Sequence, residues 1–169
     1  SFAQKTQVLA AQNSVGKLQA SIANKEDAKK QLAIIGEGIK AVELAEKDKK
    51  TTNWPETWAV KSYLSSYIAV IDDNQSNADK YFDLAKTALE KATKLDKYQA
   101  NAELLKASTY NINIKKQTEG NLAYNNNDFT TAFELLKEVS NYFPKDTTLA
   151  VNAGICAQNI KAYDEALEY

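Results

Sequence analysis

"GNLAYNNNDFTTAF", residues 120–133, sets a glycine twelve positions ahead of an alanine across a polar turn, and its reading decides the fold. Apolar residues on both sides recur at three and four, the spacing of a helix face. Between them, the run Asn125 to Asp128 carries side chains that favour turns and helix caps. The segment therefore predicts one helix ending near Tyr124 and a second capped by Asp128. Phe129, Leu136 and Val139 are spaced to fill the groove between them. Gly120 lets the second helix approach, Ala132 is its small partner, and Pro144 ends that helix because it cannot donate the next hydrogen bond.

Moved along by 34 residues, the stretch meets itself: Gly120 falls on Gly154, Phe129 on Tyr163, Ala132 on Ala166, Phe133 on Leu167 and Glu134 on Glu168. Counted from Asn113, Gly120 is at position 8, Tyr124 at 12, Phe129 at 17, Ala132 at 20 and Pro144 at 32. In these positions the chain resembles the tetratricopeptide repeat family, a helix-turn-helix unit of that length. It departs from the family at Lys116, where tryptophan is favoured, and at Val139, where alanine is. The resemblance implies an all-α fold, a right-handed superhelical stack of antiparallel helix hairpins.

No stretch reads as a strand, and Pro55 and Pro144 punctuate the periodic segments rather than interrupt them. Residues 1–3 resemble the remnant of a signal peptide cut after Ala3, which points to a periplasmic or secreted bacterial protein. Residues 4–50 form an N-terminal helical hairpin, with Asn24 as the cap of a face built on Leu32, Ile35, Ile39 and Val42. Residues 54–97 resemble a degenerate repeat hairpin. Pro55 starts its first helix, a long loop lies near 72–77 with about eleven extra residues, and Asn77 caps the second helix through Phe82, Ala85, Leu89 and Ala92. Residues 98–146 hold a long helix and the unit 113–146, and 147–169 an incomplete unit.

Composition removes much of enzymology. There is no His, Arg or Met, so imidazole acid-base chemistry, His-ligated metals and guanidinium clamps are absent. Twenty-one lysines against 22 carboxylates leave a net charge of −1 and no general field for nucleic acid. No run approaches the length of a membrane span. Cys156 sits in an apolar stretch and reads as a buried small side chain. The "GEG" at Gly36 to Gly38 completes no phosphate-binding motif and reads as close helix packing. No catalytic residue, metal site or cofactor is expected.

One set of residues is left. The resemblance implies that the first helix of each unit lines a concave groove, here through Gln117, Asn121, Tyr124 and Asn125, then through Thr148, Val151, Asn152, Ile155 and Asn159. Asn121 and Asn152 match two asparagines of family members that clamp a carboxylate, but Gln117 replaces the clamp's lysine, so a neutral peptide fits better. An amide both donates and accepts, as an extended peptide backbone does. The expected function is thus a non-catalytic protein-protein interaction module. The alternative, a glycan-binding or structural component of a bacterial envelope, requires exposed aromatic faces among Trp54, Trp58, Tyr63 and Tyr67.

Overall fold

The computed structural model describes residues 2–168, with side chains from residue 5 onward; the three residues read as a signal-peptide remnant lie outside the described side chains. The described residues form α1 (Phe2–Ala23), α2 (Ala28–Lys47), α3 (Pro55–Ile71), α4 (Gln75–Leu95), α5 (Ala102–Asn125), α6 (Phe129–Tyr142) and α7 (Thr147–Leu167). A single 3-10 turn, Thr51–Asn53, precedes α3, and the described residues contain no strand. The chain divides within α5 into two compact units, Ser1–Ile112 and Asn113–Tyr169.

In the first unit, α1 and α2 pair through Val15, Leu18, Ile35, Ile39 and Val42, which join Val60, Leu64 and Ile68 of α3 in one core. The link between α1 and α2 corrects the expected cap. Asn24 still belongs to the end of α1, its N–H donating to Ala20 O at 2.9 Å. Lys25 then takes a left-handed conformation (φ 55°) to turn the chain, and Asp27 is the cap, accepting from Lys30 N at 2.8 Å.

The expected long loop near 72–77 is also corrected. The α3–α4 link is Asp72 to Asn74, and Asn74 rather than Asn77 caps α4, accepting from Asn77 N at 3.0 Å. Asn77 instead donates its amide to Asp72 Oδ2 at 2.6 Å. The segment is nearly all helix, with 17 residues in α3 and 21 in α4.

α4 meets α3 along an alanine line, with Ala78, Ala85, Ala88 and Ala92 all buried. The small side chains let the backbones come close enough for Ser62 Oγ to donate to Ala85 O at 3.1 Å. α3 is buried on nearly every side, including Thr57, Ser62, Ser65 and Ser66, so its apolar periodicity marks only part of its contact surface. Ahead of it, Thr51 Oγ1 donates to Ala45 O (2.6 Å), Thr57 Oγ1 to Thr51 O (2.8 Å) and Trp58 Nε1 to Thr52 O (2.7 Å), which ties the α2–α3 link to both helices.

The two glycines of "GEG" have opposite surroundings. A Cβ at Gly38 would lie 2.6 Å from Leu64 Cδ1 and 2.7 Å from Ser14 Cβ, whereas at Gly36 it would meet nothing within 4 Å. Close packing therefore accounts for Gly38 only. Gly36→Ala is expected to stabilise the chain by up to about 1 kcal/mol through helix propensity. Gly38→Ala is expected to destabilise it by up to about 2 kcal/mol, because an overpacking cost of about 1–3 kcal/mol outweighs a gain of up to about 1 kcal/mol. Urea midpoints followed by the fluorescence of Trp54 and Trp58 would check both signs.

In the second unit the opening stretch folds as read. Asn127 is left-handed (φ 61°), Asp128 N donates to Ala123 O at 2.9 Å to close α5, and Asp128 caps α6 by accepting from Thr131 N at 3.2 Å. A Cβ at Gly120 would stand 2.9 Å from Leu136 Cδ2, so α5 and α6 do meet there. The glycine's close neighbour is Leu136 rather than Ala132. Lys116 and Glu138 pair across the same two helices. Ala132, Leu136 and Val139 of α6 share a core with Leu149, Ala153 and Cys156 of α7, against which Ala123 of α5 also packs.

The next repetition does not turn. α7 is one helix from Thr147 to Leu167, running through the positions that align with the α5–α6 junction. There Lys161 and Ala162 stand where Asn127 and Asp128 made the left-handed residue and the cap. Ala162 has no side-chain oxygen to cap a new helix, and lysine enters the left-handed region less readily than asparagine, so the helix continues. Gly154 accordingly faces open space, with nothing within 4 Å of a Cβ built on it.

Candidate functional site

The outward stripes of α5 and α7 carry the residues expected to line a groove. On α5, Asn121 and Asn125 are exposed, Tyr124 is 37% exposed and Gln117 is half-buried. Their spacing of three and four places them on one side of the helix. On α7, Thr148 is exposed, Val151 and Ile155 are exposed at 59% and 37%, and Asn152 and Asn159 are half-buried.

Two of these residues are already partly engaged. Asn159 donates its amide to Ile155 O at 3.0 Å, one turn back. The ring of Tyr124 packs edge-on against Phe129, with centroids 5.7 Å apart, which fixes it beside the α5–α6 turn. Among the described residues the side chains of Gln117, Asn121, Asn125 and Asn152 make no hydrogen bond, and of these Asn121 and Asn125 are exposed. Leu149, Ala153 and Cys156 form the core face of α7; Thr148, Val151 and Ile155 lie beside it and stay exposed, and Asn152, at its edge, is half-buried.

The marked concavities of the second unit are elsewhere. One of about 630 Å³ lies over the segment from Tyr142 to Thr147. Another, of about 260 Å³, lies between the start of α6 and the second half of α7, walled by Phe129, Ile160 and Tyr163. Ile160 and Asp164 in that cleft were not singled out by sequence reasoning. Their signal, a spacing of three and four with Tyr163 and Leu167, was masked by the turn expected at the same place.

The aromatic platform does not form. Trp58 and Tyr63 are 6% and 5% exposed, and Trp54 and Tyr67 are half-buried. Trp58 lies under Lys91, whose Nζ is 3.7 Å from the ring centroid, and Tyr63 packs against Tyr67 at 5.9 Å. Trp58 and Tyr63 hold helices together and offer no open stacking face, while Trp54 borders a concavity with Val8, Leu9 and Pro55. Cys156 is fully buried, and burial pushes its thiol above the usual range, which suppresses the reactive thiolate.

Fold and geometry together define an all-helical protein held by helix-helix packing, with no helix among the described residues long and apolar enough to cross a membrane. Compared with known proteins, the chain matches no family model, no curated protein and no solved structure.

Proposed function

We propose that the chain is a non-catalytic interaction module, a tetratricopeptide-like stack of hairpins whose second unit binds an uncharged extended peptide. The observation that carries this reading is the outward row on α5 and α7. Asn121, Asn125 and Asn152 offer amides, and Val151 and Ile155 offer apolar surface that the core does not use. Amides can match the alternating donors and acceptors of a peptide backbone, while the exposed aliphatic residues take its side chains. Helices packed through their neighbouring faces would hold these groups in place, so binding costs little ordering of the receptor. The residues that resemble a signal-peptide end make the bacterial envelope the proposed setting.

The test is selection of binders from a displayed library of extended peptides, followed by the double variant Asn121→Ala/Asn152→Ala. Two lost hydrogen-bonding amides at about 1 kcal/mol each predict at least a tenfold loss of affinity for the selected peptides, with helix content unchanged. Selected peptides that bind the variant as well as the parent would move the site off this row.

A further inference from the structure

The cleft of about 260 Å³ between the start of α6 and the second half of α7 has walls of two kinds. Phe129, Ile160 and Tyr163 supply aromatic and aliphatic surface, and Asp128 and Asp164 supply carboxylates. Both aspartates are exposed, and Tyr163 is 66% exposed, so the cleft is open to a partner. Among the described residues neither aspartate is paired with a lysine, and Lys161, the nearest in sequence to Asp164, lies 3.9 Å from Glu165.

Charge sets what the cleft accepts. The N-terminus of α6 contributes about half a positive charge, which two carboxylates outweigh. Residues 113–169 hold five lysines against eight Asp and Glu side chains, so the surrounding field has the same sign. A simple hydrated cation would leave the apolar wall unused, and a purely apolar group would strip water from carboxylates without replacing it. A long cationic side chain satisfies both halves: its methylene stem covers Ile160 and Phe129, and its charged head reaches the carboxylates and the Tyr163 ring face. The volume is below the roughly 300–1,000 Å³ of small-molecule sites and suits one side chain.

We propose that this cleft receives a lysine or arginine side chain of a partner polypeptide. The inference stands apart from the amide row, since it uses neither Asn121 nor Asn152.

The probe is Nα-acetyl-arginine amide, with the uncharged citrulline counterpart as its control, followed by amide NMR shifts of the full 169-residue chain. Arginine is expected to shift the amides of Asn127 to Thr130 and Ile160 to Asp164, and citrulline to leave them in place. Asp128→Asn/Asp164→Asn removes both charges, and because Asn caps a helix as well as Asp does, the start of α6 is kept. It is expected to weaken arginine binding about two- to thirtyfold, as loss of two exposed charge contacts predicts. Equal shifts from citrulline, shifts confined to other residues, or unchanged binding by the double variant would overturn the proposal.

Discussion

Leu136→Ala is expected to loosen the second unit by about 2–5 kcal/mol, the cost of emptying a fully packed core position. Leu136 is 0% exposed and touches both neighbours of α6. Its Cδ2 and Cγ stand against the bare face of Gly120, and it shares a cluster with Leu149, Ala153 and Cys156. Gly120 has no side chain that could move into the space, so the cavity would persist. Cys156 gives a direct readout, being the chain's one cysteine and buried in that cluster. Labelling by a disulfide reagent requires the core to open, and where opening is in rapid equilibrium the rate follows its free energy. A rise of roughly thirtyfold or more is expected at the low end of that cost. Labelling that stays at the parent rate would mean that Leu136 is not what closes this core.

The second large effect is expected at Trp58, where replacement by alanine should cost about 3–5 kcal/mol in the first unit. Trp58 packs with Ala59 of α3 and with Ala88 and Ala92 of α4, and Leu95, Leu104 and Leu105 lie against the same cluster. Lys91 lies over its ring, and Nε1 donates to Thr52 O, so the side chain also anchors the α2–α3 link. Trp58→Phe keeps an aromatic body and loses that donor, which predicts a smaller cost of about 1–2 kcal/mol. Urea unfolding followed by far-ultraviolet circular dichroism would separate the two. An alanine variant as stable as the parent would show that Trp58 is available for some role other than packing.

The cap chemistry of the opening stretch could be read from sequence because each bond spans only a few residues. Asp128, Asn127 and Pro144 act on the backbone next to them, so the α5–α6 junction formed where expected. Asn24 and Asn77 misled for a related reason. Each lies within three residues of the true caps, Asp27 and Asn74, and composition alone does not choose between adjacent turn residues. The repeat frame went further than its own turn chemistry allowed: Gly154, Ala166 and Leu167 matched, while Ala162 stands where Asp128 supplies the cap. That the residues expected to line a groove fall on stripes of two helices was legible. The engagement of Asn159 with Ile155 and the packing of Tyr124 on Phe129 were not.

By itself the sequence determined that the chain is helical and where several of its helices start and stop, because period, caps and proline breaks act through bonds between residues three to six apart. Tertiary structure decided which equivalent-looking residues differ. Gly38 is pressed against Ser14 and Leu64 while Gly36, two residues away, is free; Gly120 is covered by Leu136 while Gly154 is open; and Trp58 and Tyr63 are buried while Trp54 and Tyr67 are only half-buried. Each distinction depends on a neighbour brought from a distant part of the chain. Burial is a property of the surface that arrives, and a helical period names only the face on which it can arrive.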